Sequence, residues 1–274
     1  MKYLVVLGCS HAVGTGLDIA IGHDSEGRKK SHKDYDGNEI RIENRWSRLL
    51  SDKLNLEEIN LGKDGASNWQ IYINVMSWIL NNQEKINETL FVISWTYADR
   101  NYVRLAGDFL AGNELIYSSK SQFDKDSTIM YIPNDLTTFN QENFPKWDDI
   151  WNEGIIKTSL LYMTGLTSFL SNQNLKYLHF HSDFFLGNFT QTGMDRVFYK
   201  EPVNKLSEYI AKYIDLFDTK NYIIDEIYMH YCREDIITPP KYSIKEGHIG
   251  PEGQKSWAEF LYKELQDRKI IGDI

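Results

Sequence analysis

The chain has 274 residues, 42% hydrophobic and 14% aromatic, with 30 Lys and Arg against 39 Asp and Glu for a formal charge of -9. That apolar content builds a substantial core, and one domain with insertions accommodates the length. The acidic balance, without a basic stripe, excludes a phosphate-tracking nucleic-acid binder; no apolar run spans a membrane; and two cysteines, Cys9 and Cys232, make no disulfide framework, so a cytoplasmic protein is expected.

Tyr3 to Leu7 is a run of large and β-branched apolar residues that stops at Gly8, as a buried parallel strand does. Ser10 stands just past its end, where open α/β sheets gather their chemistry, with Gly14 and Gly16 freeing the backbone beyond it. Asp18 to Asn38, rich in Gly, Asp, His, Lys and Ser, is expected to be an exposed loop. Its Asp34-Tyr-Asp-Gly-Asn-Glu stretch reads as a turn, because the Gly is out of register for a calcium loop. Trp46, Leu49, Leu50 and Leu54 recur at helical spacing and predict one amphipathic helix over Arg41 to Leu54. Leu56 to Leu61 reads as a strand, and a Gly-containing turn, Asn60 to Asn68, places Ser67 to cap a helix from Trp69 to Ile86.

Thr89 to Trp95 is the clearest central strand, and it discharges into Thr96-Tyr-Ala-Asp-Arg100. The mixed stretch Asn101 to Trp147, with β-like pieces around Phe109 to Tyr117 and Thr128 to Ile132, predicts an inserted hairpin or lid. Asp148 to Leu170 reads as a helix, and Leu175 to His181 as a strand with Tyr177, His179 and His181 on one face and Asp183 continuing it. Pro202 to Phe217 reads as helical and Tyr222 to Met229 as a short strand. A last helix starts at Gly250-Pro-Glu-Gly, directly after His248, and ends near Arg268. Strands alternating with helices predict a parallel α/β sandwich. Trp46, Trp69, Trp78 and Trp257 lie on apolar helix faces and are expected in the core.

Parallel strands bring Ser10, the Gly65 turn and Thr96 to Arg100 to one edge, and a late loop supplies His248. Acyl transfer by a serine needs a base in reach, a group orienting that base and donors for the developing oxyanion, and each role has a candidate. Three blocks occur in order: Gly8-Cys-Ser10-His-Ala-Val-Gly14, Asn60-Leu-Gly-Lys-Asp-Gly65-Ala-Ser-Asn68 and Glu246-Gly-His248-Ile-Gly-Pro-Glu-Gly253. Together they resemble the SGNH (GDSL-like) hydrolases, a family of esterases, lipases and carbohydrate deacylases, and the first block is nearest to the GCS variants of bacteria and phages.

The resemblance implies a flavodoxin-like three-layer α/β/α sandwich with a central parallel sheet of about five strands. It implies a single domain over residues 1–274 with insertions at about 18–38 and 101–147, no cofactor, and a small-molecule or carbohydrate ester as substrate. Carried onto this chain, it makes Ser10 the nucleophile, His248 its base and Glu246 the acid that orients the base, with the N–H groups of Ser10 and Gly65 around the oxyanion. Where the family's third block ends in Asn, this chain has Ser94-Trp-Thr96. Thr96 is the positional match for the third oxyanion donor, with Asn68 as the alternative. Lys245 stands three before His248, which leaves Glu246 as the nearby carboxylate. Candidate substrate contacts are His11, Asn68 and Arg100, the last of which also suits a surface ion pair.

Two readings from other classes stand beside this one. His179, His181 and Asp183 alternate along one strand, with His230 as a fourth ligand, and would suit a metal-dependent hydrolase; they also suit a half-buried polar strand face. The departures at Thr96 and Lys245 fit a carbohydrate-binding module that keeps the fold without turnover. The Gly8 to Gly16 turn lacks both the dinucleotide spacing and a phosphate-loop Lys.

Overall fold

The computed structural model describes residues 1–17, 37–96, 102–105, 128–131, 156–182, 220–223, 232, 236–237 and 248–272. Strand β1 (Tyr3–Leu7) leads into the one-turn helix α1 (Ser10–Val13), and helices α2 (Gly37–Asn44) and α3 (Trp46–Leu54) precede β2 (Glu57–Asn60). Helix α4 (Asn68–Asn81) and a 3-10 turn at Ile86–Glu88 precede β3 (Thr89–Trp95). An antiparallel ladder of β4 (Tyr102–Leu105) and β5 (Thr128–Tyr131) is followed by α5 (Ile156–Asn172), β6 (Lys176–His181) and β7 (Tyr222–Ile223). Last come the antiparallel pair β8 (Ile236–Ile237) and β9 (His248–Ile249), and helix α6 (Pro251–Asp267).

Five strands form one parallel sheet in the order β2-β1-β3-β6-β7, with Leu7 opposite Ile93 and Trp95 opposite His181. Numbered within the sheet this is 2-1-3-4-5, the flavodoxin-like order, which reverses direction between β1 and β3. Both faces of β1 and β3 are covered, which is why these two strands read as near-continuous apolar runs rather than alternating ones. Val5, Leu7, Phe91, Ile93 and Tyr177 point to one side, where Ile71, Val75 and Trp78 of α4 and Met163, Leu166 and Leu170 of α5 bury them. Leu4, Val6, Leu90, Val92, Leu178 and Phe180 point to the other, against Trp46 and Leu50 of α3 and Trp257 and Leu261 of α6. The expected α/β/α layering is therefore present.

Several expected boundaries are corrected. The helix expected over Arg41 to Leu54 is two helices that break at Arg45, whose backbone is extended (φ -74°, ψ 145°). The break lets the Arg45 guanidinium meet Glu58 of β2 through two hydrogen bonds of 3.0 and 2.8 Å. Gly37 and Asn38, expected in a loop, begin α2, while residues 18–36 lie outside the described residues. Helix α4 stops at Asn81 rather than Ile86, because the amides of Asn81, Asn82 and Gln83 each donate to the carbonyl four residues back and close the helix's free end. Tyr102–Leu105 is a ladder strand, whereas Phe109 to Tyr117 and Pro202 to Phe217 lie outside the described residues, as do 148–155 ahead of α5 and 224–229 after β7. Ser67 caps α4 as expected, its hydroxyl accepting from Gln70 N–H at 3.2 Å. Trp46, Trp78 and Trp257 are core residues, and Trp69 is half-buried. Among the described residues no helix is long and apolar enough to cross a membrane.

Candidate active site

The strand order reverses between β1 and β3, and beyond the carboxyl ends of such strands open α/β sheets generally take their ligands. Three chain segments converge there. The first is α1. Gly8 ends β1 so close to β3 that a side chain there would put its first carbon 2.9 Å from Ser94 Cβ and 2.8 Å from Ala12 Cβ; only glycine lets the chain turn at this point. Cys9 is the extended residue ahead of the helix, and Ser10 takes its first position. Ser10 is half-buried, and among the described residues neither its N–H nor its hydroxyl makes a hydrogen bond. An unused N–H at a helix start carries partial positive charge, so the hydroxyl and a donor for negative charge sit on one residue.

A one-turn helix cannot satisfy its own last carbonyls, and here neighbouring side chains do so. The Trp46 indole donates to His11 O at 3.2 Å, and Asn60 Nδ2 donates to Ala12 O at 2.8 Å. Gly14 closes the turn in the left-handed region (φ 79°), its N–H donating to Ser10 O. Asn60 is itself held by Ser47 Oγ at 2.9 Å, and Ser47 donates to the Glu58 carboxylate that pairs with Arg45.

The second segment is the turn after β2. Gly65 has φ 72°, a conformation that costs glycine nothing, and the expected tight turn is present. Lys63 N–H donates to Gly8 O at 3.0 Å and Thr15 Oγ1 donates to Asp64, so this turn is stitched to the Ser10 turn on both sides.

The third is the end of β3. Thr96 is wholly buried, with its N–H donating to Asn68 Oδ1 at 2.9 Å. Asn68 Nδ2 in turn donates to Thr96 O (3.1 Å) and to Ser159 Oγ (2.6 Å). Asn68 was expected to contact substrate or to complete an oxyanion hole. Its amide nitrogen bonds Thr96 O and Ser159 Oγ, so Asn68 also ties the β3 end to α5.

His248 arrives from the far end of the sequence on β9. Its ring lies 5.3 Å, centroid to centroid, from that of His11, the residue after Ser10, and both imidazoles are buried. The structure thus brings Ser10, His11, Gly65, Thr96 and His248 to one edge. Glu246 and Arg100 lie outside the described residues.

The histidine row on β6 is organised differently. His179 Nδ1 accepts from the Trp95 indole N–H at 3.1 Å, an arrangement that puts the neutral ring's proton on Nε2. The His179 ring stacks on Tyr222 at 4.7 Å, and His181 meets the same tyrosine edge-on at 5.8 Å. Burial pushes the Tyr222 hydroxyl above its ordinary range, so it remains protonated. Among the described residues no three His, Cys, Asp or Glu gather as a metal would require, and Asp183 and His230 lie outside them. No disulfide joins Cys9 and Cys232, both buried, and Cys9 Sγ lies 3.5 Å from Ser182 Oγ. Asn60, which opens the second block, and Gln254, which no motif marks, are the side chains that hold the backbone around Ser10 and His248.

No known protein family and no curated protein matches the chain. Among solved structures, the psychrotrophic esterase EstA from Pseudoalteromonas sp. is similar at 12% identity and a TM-score of 0.46, over 97% of this chain and 98% of that one. An acetyl xylan esterase, AlAXEase, is similar at 11% identity and a TM-score of 0.43, over 96% and 99%. A carbohydrate esterase family 2 enzyme of Corynascus thermopiles (Myceliophthora fergusii) is similar at 10% identity and 0.44, over 98% and 66%. Likenesses this distant assign no role to any residue of this chain.

Proposed function

We propose that the protein is an SGNH-type serine hydrolase that cleaves an ester, of a small molecule or of a carbohydrate O-acyl group, through an acyl-enzyme. The observation that carries the reading is Ser10 itself: a half-buried hydroxyl at the first position of a helix, beside the strand-order reversal, with an unused N–H and with His248 brought against its neighbour. In the proposed reaction His248 takes the Ser10 proton as the oxygen attacks the ester carbonyl, and the tetrahedral oxyanion is held by the N–H groups of Ser10 and Gly65. Thr96, fully buried at the end of β3, is the proposed third donor, through its hydroxyl. Collapse breaks the bond to the alkoxide, which leaves with the proton from His248. Water, deprotonated by His248, then attacks the acyl-enzyme and releases a carboxylic acid and the free serine. Glu246, two residues before His248, is the proposed orienting acid, and His11 and Arg100 are the proposed substrate contacts. No step requires a metal, and the engaged His179 Nδ1 supports a structural role for the β6 histidines.

Hydrolysis of a short-chain activated ester by wild type and by Ser10→Ala tests the reading, with a fluorophosphonate marking the nucleophile. The expected result is a fall in kcat of about 10⁴-fold or more and loss of labelling. Turnover indifferent to Ser10→Ala overturns it. Saturable sugar binding without turnover would select the binding module instead.

A further inference from the structure

We infer that Gln254 is a positioning residue that sets, through Trp46, the spacing between the Ser10 turn and His248. The inference rests on reading those two residues as nucleophile and base. The problem it addresses is mechanical. Ser10 belongs to a single helical turn, and His248 to a two-residue strand that pairs with β8 and not with the five-stranded sheet. Neither is held at its working distance by the ladder that organises the rest of the domain, yet the reaction tolerates little slack between them.

Two buried side chains, those of Gln254 and Trp46, link the backbone next to Ser10 to that next to His248. Gln254, on the first turn of α6, accepts from Trp46 N–H through Oε1 at 2.9 Å and donates through Nε2 to Ile249 O, next to His248, at 3.4 Å. The same Trp46 donates from its indole to His11 O, next to Ser10, at 3.2 Å. The chain of contacts runs from the base's strand through Gln254 and Trp46 to the nucleophile's turn. Gln254 is 1% exposed, and Trp46 and Ile249 are fully buried, so water cannot replace any of these partners. Trp46 N–H is also the orphan donor at the start of α3, whose preceding residue, Arg45, gives no side-chain cap.

The position demands an acceptor and a donor on one side chain with this reach. An ionised carboxylate offers acceptors only and would face the Ile249 carbonyl with a lone pair, whereas methionine keeps the shape and loses both bonds. Contacts of Trp257 and Leu261 with the sheet hold α6 in place whatever residue 254 is, so the substitution is expected to fold.

The experiment compares wild type, Gln254→Met, Trp46→Phe and the double variant. It measures kcat, KM, the rate of fluorophosphonate capture, the thermal midpoint and the imidazole NMR signals of His11 and His248. Slackened spacing is expected to lower kcat and capture about 10 to 100-fold with KM within about twofold. The double variant is expected to be no worse than the worse single, because both changes cut one chain of contacts. The His11 and His248 signals are expected to shift together in Gln254→Met. Wild-type kcat in folded Gln254→Met, additive losses, or unmoved imidazole signals overturn the inference. Should Ser10→Ala keep full turnover, the reading of the site fails, and the imidazole signals still decide whether Gln254 sets the spacing.

Discussion

The two faces of the sheet solve different problems. On the α4–α5 side the covering helices are near neighbours in sequence of the strands they cover, and the contact is mainly apolar: Val75, Trp78, Met163, Leu166 and Leu170 against Phe91, Ile93 and Tyr177. On the α3–α6 side the first and last parts of the chain meet, and polar groups thread the packing: the Arg45–Glu58 pair, Ser47, Asn60, Gln254 and the Trp46 indole. Apolar burial gives stability without direction, whereas hydrogen bonds from side chains to backbone carbonyls fix a distance. Both faces use such bonds, Asn68 to Thr96 O on the first and the Trp46 indole to His11 O on the second, but only on the face that carries His11 and His248 do they join the α3 and α6 segments.

The sharpest way to break that contrast is Glu58→Gln. Arg45 and Glu58 have side chains only 13% and 4% exposed, so removing one charge leaves the other buried without its partner, at a cost of about 3–5 kcal/mol. Urea titration measures the loss, and kcat is expected to fall too, because Ser47 and Asn60 hold the carbonyl at Ala12. Undiminished turnover would show that the polar thread serves stability alone. On the opposite face, Leu166→Ala is expected to cost about 2–5 kcal/mol in the same titration. Turnover per folded molecule should stay within about twofold of wild type, since a leucine side chain supplies no hydrogen bond that fixes the Ser10 turn. The smallest effect is Ser67→Ala, which removes one N-cap bond of α4 and is expected to lower stability by about 1 kcal/mol.

What was legible in the sequence follows the same division. Thr89–Trp95 and Lys176–His181 could be read from their apolar runs, the cap at Ser67 from the chemistry of a hydroxyl before a helix, and the start of α6 from Gly250-Pro251. These signals are local. The break at Arg45 was not legible, because the partner it brings Arg45 to is a carboxylate 13 positions away on β2. Nor was the engagement of Asn68 with Thr96, 28 positions on. Ser10 and His248 were singled out by their blocks, yet Gln254, which holds the carbonyl next to His248, carries no motif, since a glutamine on an amphipathic helix looks like any solvated position until the fold buries it.

The bond from Trp46 N–H to Gln254 spans 208 positions. During synthesis the Ser10 turn is therefore made long before the residues from His248 onward that complete its surroundings. A nascent chain halted before α6 is sticky, because the sheet face awaiting Trp257 and Leu261 is still bare.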